Sequence, residues 1–351
     1  MAIHRAKVSE NKRFCRGSAL IRGKSKSMHT RARPELTVFA EDVLAGLSST
    51  PKSLSSKYFY DAEGSRLFQE IMKLPEYYLT GCEHEIFSEQ ADAIFRSFAN
   101  GGSSFDLIEL GAGDGTKTAV LIEHFLRQNP EVTYSPIDIS PEALDTLSVK
   151  FAAQFPDLKV ETRTGDYFRI LESLKNGNGR RKVLLFLGSN IGNFTRREAL
   201  DFFRKLRSVM SSDDLLFIGF DLQKDPHVIA AAYDDSAGVT AQFNLNLLKR
   251  INRELRADFD IDKFMHYANY RPTEASARSF LISRERQSVY IAALDKVFEF
   301  DQWEPVFMEI SQKYSKKMIA ELAAESGFEI KNNFFDRREY YCNSLWSPAV
   351  D

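Results

Sequence analysis

The stretch Leu107-Ile108-Glu109-Leu110-Gly111-Ala112-Gly113-Asp114-Gly115-Thr116-Lys117-Thr118 is an apolar run that breaks on alternating glycines. A strand that ends in such a turn and opens a helix is the entry to a ligand-binding α/β fold. Glycine backbone turns tightly and lets a ligand approach with no Cβ in the way. The loop alone leaves the ligand open: a methyl-donor nucleoside, a nicotinamide or flavin nucleotide, or none. It excludes a phosphate-binding P-loop, which needs four residues between its first glycine and a Gly-Lys pair.

Outward from this loop, short apolar runs alternate with amphipathic stretches from about Asp106 to Phe220. That alternation is the sequence form of a doubly wound α/β core, a parallel sheet with crossover helices. Strands are predicted at Phe105 to Leu110, Thr133 to Ile139, Val160 to Arg163, Lys182 to Leu187 and Leu215 to Phe220. Helical spacing covers Thr118 to Gln128, Glu142 to Phe151 and Arg196 to Met210.

Two later turns narrow the ligand. Asp138, at the tip of the second strand, can accept both ribose hydroxyls of a nucleoside, which suits NAD and S-adenosylmethionine equally. The third strand runs into Gly165-Asp166-Tyr167-Phe168, an acidic and aromatic turn fitted to an adenine amino group and ring face. This third element favours S-adenosylmethionine as cofactor. The expected cofactor set is Glu109, Gly111, Gly113, Lys117, Asp138, Asp166, Tyr167 and Gly188, with Glu109 against the amino acid moiety of the cofactor. The plainer reading makes Asp166 a turn acid, Tyr167 a core aromatic and Glu109 a strand-end acid. After the fourth strand, Gly188-Ser189-Asn190-Ile191-Gly192-Asn193-Phe194 lies where the transferable methyl would sit, since ligands bind beyond the carboxyl ends of the strands. Asn193 is the candidate catalytic residue there. The alternative is that it caps the next helix, a role Thr195 can also fill.

Composition removes other classes. A net charge of -2 over 351 residues gives no basic footprint for nucleic acid. Cys15, Cys82 and Cys342 are scattered and lack CxxC spacing, and the six histidines form no metal cluster, so no metal is expected. No apolar run approaches the roughly 20 residues of a membrane helix, so the chain is expected to be cytoplasmic and off the membrane. Residues 1–33 are basic with little apolar periodicity and read as a disordered tail.

The chain resembles the histidine-specific Nα-methyltransferases of ergothioneine biosynthesis. The resemblance rests on Lys57-Tyr58-Phe59-Tyr60-Asp61-Ala62-Glu63-Gly64-Ser65-Arg66-Leu67-Phe68, on Leu74-Pro75-Glu76-Tyr77-Tyr78-Leu79-Thr80, on the two glycine loops, and on Phe307-Met308-Glu309-Ile310-Ser311-Gln312-Lys313-Tyr314. It implies a class I S-adenosylmethionine methyltransferase core of Rossmann-like form. A smaller α+β substrate domain would join 34–82 to 223–313, leaving 83–222 and 314–351 to the core. It implies Nα-methylation of a free amino acid, histidine first, through to the trimethylated betaine, by a monomer acting on a small molecule.

By the same resemblance Tyr77, Asn193 and Tyr233 hold the α-amino and carboxylate groups, and Tyr60 and Phe68 line the pocket near the amine. Glu309 and Ser311 face the imidazole. The plainer reading makes Tyr60, Phe68 and Tyr77 core aromatics and Glu309 a solvated strand acid. One departure concerns specificity: where the family places an acid followed by Met, this chain has Arg278 and Ser279, which makes the side-chain pocket more polar. Two rivals remain at this point: a non-catalytic S-adenosylmethionine-binding module, and a methyltransferase for another amino acid.

Overall fold

The computed structural model describes residues 36–99, 104–128, 131–138, 141–165, 167–174 and 180–349. The basic segment 1–33 and Asp166 lie outside the described residues. The chain opens with α1 (Val38–Ser48), α2 (Ala62–Ile71), α3 (Tyr78–Glu89), α4 (Ala91–Ala99) and β1 (Phe105–Leu110). Then come α5 (Thr116–Gln128), β2 (Val132–Asp138), α6 (Pro141–Gln154), β3 (Lys159–Val160), β4 (Arg163–Thr164), α7 (Tyr167–Leu174), β5 (Arg181–Phe186), α8 (Arg196–Val209) and β6 (Leu215–Asp221). The remainder holds α9 (Pro226–Ala231), α10 (Val239–Leu255), β7 (Phe264–Arg271), β8 (Ser276–Ser283), β9 (Gln287–Ile291), β10 (Lys296–Phe300), β11 (Pro305–Gln312), α11 (Lys316–Glu325), β12 (Phe328–Phe335) and β13 (Tyr341–Pro348).

β1 pairs in parallel with β2 on one side and β5 on the other, and β5 pairs in parallel with β6. The antiparallel strands β12 and β13 complete the sheet, in the order β12-β13-β6-β5-β1-β2-β3, with β4 also on β2. Both faces are covered by helices, so the central strands are apolar at successive positions instead of alternating. Phe105 and Leu107 join the core supplied by α3, α4 and α5, while Ile108 and Leu110 join that of α7, α8 and α11. The chain runs from β1 outward to β2 and β3, then crosses back to β5 and β6. Strand order therefore reverses between β1 and β5, where the following loops diverge and leave a crevice.

The predicted strand over Val160 to Arg163 is corrected to two short pieces, β3 and β4, both paired with β2. The reason lies on the facing strand. Tyr134 O accepts from Glu161 N, and Asp138 O accepts from Gly165 N. By the alternation of a parallel ladder, residue 136 faces the same edge, and Pro136 has no N–H to give.

A third core lies beside this sheet. Phe39 and Val43 of α1, Leu67 and Ile71 of α2, Phe243 and Leu247 of α10, and Leu281 and Met308 of the β7–β8–β11 sheet share one apolar cluster. Two segments distant in sequence thus build one layer. Together with the larger sheet it falls in a single compact unit, Leu36–Asp351. No helix among the described residues is long and apolar enough to cross a membrane.

Candidate active site

The crevice is shaped by two glycines with left-handed backbone. Gly111 after β1 has φ +71° and Gly188 after β5 has φ +70°, values that disfavour any residue with a Cβ. A Cβ at 111 would stand 3.0 Å from the Tyr167 hydroxyl, and one at 188 would stand 2.9 Å from Lys117 Nζ. A Cβ on Gly113 would meet nothing within 4 Å, so the space above the loop is open. Gly111 N donates to Ile137 O, and Gly165 N donates to Asp138 O, which draws the ends of β1, β2 and β4 together. The structure thus brings Gly111, Gly113, Lys117, Asp138, Tyr167 and Gly188 to one rim.

Glu109 sits under that rim in internal hydrogen bonds. It is buried and accepts from Thr118 Oγ1 at 2.8 Å and from the Tyr134 hydroxyl at 2.5 Å. Burial pushes its pKa up to about 7 against those donors. A second buried acid escaped sequence reasoning. Glu83 of α3 accepts from Gly188 N at 3.1 Å, the Tyr341 hydroxyl at 3.0 Å and Asn343 Nδ2 at 3.0 Å, and pairs with Lys117 at 2.9 Å. It locks the loop after β5 to α3, α5 and β13. The signal was present: Glu83 falls on the helical stripe of Leu79, Cys82, Ile86 and Phe87, where an acid needs partners.

Next to the rim lies a pocket whose wall includes Tyr60, Phe68, Tyr77, Asn193, Tyr233, Ser279, Glu309 and Ser311. Asn190 joins the two regions: it lines the pocket, and its Nδ2 is 3.9 Å from where a Gly111 Cβ would stand. The aromatic side is an edge-to-face cluster. Tyr60 and Phe68 have centroids 5.5 Å apart at 81°, and Phe68 and Tyr77 are 6.1 Å apart at 80°. Phe243 of α10 completes it, 5.7 Å from Tyr60. Tyr60 keeps 45% of its surface open to solvent. Its hydroxyl is hemmed in all the same, and burial followed by the Glu309 charge holds its pKa above the usual value. Burial also leads the upward shifts of Tyr77 and Tyr233. All three hydroxyls stay protonated near neutrality.

The polar side is carried by β8 and β11. Ser279 is paired with Glu309 across those strands, and a bulge between Phe307 and Glu309 interrupts the register. Val306 and Met308 face the third core, and the bulge re-aims the strand so that Glu309 and Ser311 line the pocket. Burial pushes the Glu309 pKa up to about 7, with the Lys313 charge opposing it. Asn193 stands exposed at the pocket mouth. It does not cap α8: Thr195 does, accepting from Glu198 N while Glu198 answers Thr195 N.

A glycine-lined crevice beside a pocket of aromatic, amide and carboxyl groups suits a nucleoside cofactor next to a small polar substrate. The family described as histidine-specific, SAM-dependent methyltransferase matches residues 39–348. The chain belongs to that family. It is 38% identical over 284 residues to a histidine N-alpha-methyltransferase of Mycobacterium tuberculosis, covering 81% of this chain and 87% of that protein. It is 37% identical to a histidine N-alpha-methyltransferase of Mycolicibacterium smegmatis, covering 82% of this chain and 87% of that one. Ergothioneine biosynthesis protein 1 of Schizosaccharomyces pombe is 27% identical over 80% of this chain and 37% of its own length. The enzyme is a SAM-dependent N-methyltransferase.

Proposed function

We propose that this methyltransferase acts on the α-amino nitrogen of free histidine and carries it to the trimethylated betaine. The observation that carries the reading is the pairing of Glu309 and Ser311 on one strand facing the pocket, an acid and a hydroxyl able to satisfy the two nitrogens of an imidazole. Gly111, Gly113, Lys117, Asp138, Tyr167 and Gly188 hold the cofactor in this reading, with Asp166 completing the adenine side. Glu109 supports the loop from beneath. The cofactor supplies a methyl group already activated on a sulfonium.

The protein's part is placement. Tyr77, Asn193 and Tyr233 fix the amino acid end of the substrate so that its nitrogen faces the crevice. An α-amino group titrates near pH 8, roughly, so a hydroxyl or amide oxygen accepting from it suffices to keep a neutral amine aligned. Tyr60 and Phe68 give that amine an aromatic, weakly polar surround, which suits the cation that grows as methyl groups accumulate. Ser279 beside Glu309 makes the side-chain wall polar, in keeping with a ring that carries nitrogen.

Purified enzyme given S-adenosylmethionine and each free amino acid in turn should methylate histidine in preference to the others. Turnover of a different amino acid with histidine inert would overturn the substrate. A pH series sharpens this. Glu309 accepts a ring N–H more strongly when ionised, so KM for histidine should fall as pH rises through about 7. Glu309→Gln should abolish that limb. The stability sign is opposite: a carboxyl raised from 4.5 to about 7 stabilises the fold below pH 4.5, and that contribution is lost as pH climbs to 7. Glu309→Gln should therefore gain stability relative to wild type above pH 7.

A further inference from the structure

Behind Ser311 stands a buried charge that does not reach the pocket. The Lys313 ammonium, fully buried, lies 2.7 Å from Asp221 Oδ2, 2.6 Å from the Tyr233 hydroxyl and 2.7 Å from Ser311 Oγ. An ammonium has three protons and no lone pair. All three contacts are therefore donations, and the group is saturated. Ser311 Oγ also accepts from the Tyr233 hydroxyl at 2.6 Å. A hydroxyl has two lone pairs, and both of these are filled. With Tyr233 as the donor of that pair, the Ser311 proton is left to point elsewhere, and Ser311 lines the pocket.

We infer that Lys313 is a positioning residue that fixes Ser311 as a hydrogen-bond donor toward the pocket, so that the substrate ring is taken in one protonation pattern. The nitrogen facing Ser311 carries no proton, and the nitrogen facing Glu309 carries one. This rests on the reading of free histidine as substrate. The bound ring is then a neutral imidazole in a single tautomer. An imidazolium would bring a second proton against the proton of Ser311. Asp221 gives the ammonium its counter-charge, and the direction of donation passes from Lys313 through Tyr233 and Ser311 to the ligand. Tyr233 can still help hold the substrate by accepting from its amino group with the second lone pair of its hydroxyl oxygen, while its proton stays on Ser311.

The test uses wild-type enzyme with ring-15N-labelled histidine and S-adenosylhomocysteine. The bound ligand should show one N–H nitrogen and one unprotonated, hydrogen-bonded nitrogen, in place of the averaged tautomers of free imidazole. Two protonated ring nitrogens would overturn the inference alone. No bound histidine would overturn the substrate reading as well. A kinetic cycle gives an independent readout. Lys313→Met and Ser311→Ala should each raise KM for histidine by about tenfold or more, with a smaller change in kcat. The double variant should be scarcely worse than either, because Lys313 acts through Ser311. Additive losses, or an equal loss of S-adenosylmethionine affinity in Lys313→Met, would refute it. If Lys313→Met does not fold, the spectrum of the wild-type complex still decides.

Discussion

Asn193→Ala should lower kcat/KM by at least about a hundredfold while cofactor affinity and thermal stability stay near wild type, since a misplaced nucleophile costs about that much. The expectation rests on where Asn193 stands. It ends the 3-10 turn Asn190–Asn193 that follows β5, and it lines the pocket while staying exposed. Its amide can donate to a carboxylate and accept from an amine at once. The helix beyond it does not depend on it, because Thr195 and Glu198 form a reciprocal cap. A fold-level effect is thereby separated from a catalytic one. Single-turnover kinetics with calorimetry of S-adenosylmethionine binding would check it, and turnover within about threefold of wild type would remove Asn193 from the mechanism.

The parts of this site that were legible in sequence are those written locally. A strand that stops on glycines places the crevice, Asp138 marks the next strand tip, and the family-specific strings around Tyr60, Tyr77 and Glu309 bring their residues to one pocket. Elements that rest on a distant partner were not legible in the same way. The break between β3 and β4 depends on Pro136 of the neighbouring strand and on which edge of the ladder it faces. Glu109 accepts from Thr118 and from Tyr134 on β2, partners that its place near the end of β1 does not announce.

Two buried charge systems were hidden for the same reason. Glu83 meets groups from α5, the loop after β5, and β13, so its neighbourhood exists only in the folded chain. Lys313 follows Glu309 and Ser311 closely in sequence, yet its partners Asp221 and Tyr233 lie far from it along the chain. Its signal was periodic: Glu309, Ser311 and Lys313 occupy alternate positions, and three polar residues in a row on one side of a strand argue for a polar interior site. Acids and bases at apolar positions were thus the most informative departures from pattern.

Asp221→Asn should cost about 3–5 kcal/mol of unfolding free energy, the usual cost of removing one partner from a buried ion pair. Asp221 is fully buried at the end of β6. Its carboxylate meets Lys313 at 2.7 Å, Lys224 at 2.5 Å and the Tyr78 hydroxyl at 2.9 Å, while its backbone N donates to Ser189 Oγ at 3.1 Å. One carboxylate therefore neutralises two ammonium groups that solvent hardly reaches. An asparagine keeps the shape but leaves both cations without that counter-charge in a low dielectric, where neutral acceptors such as the Tyr233 and Tyr78 hydroxyls only partly replace lost hydration. The deficit should depend on pH in a stated direction. Burial already lowers the Lys224 pKa against the pull of Asp221, and without Asp221 it should fall further. Folding would then favour the neutral amine, so the deficit should shrink as pH rises toward 10.5, the ordinary value for that amine. Adding Lys224→Met to Asp221→Asn should recover part of the loss by removing one of the two stranded charges. Urea unfolding at several pH values would measure all three effects; a deficit below about 1 kcal/mol, or one that grows with pH, would show that the cluster is not held by charge.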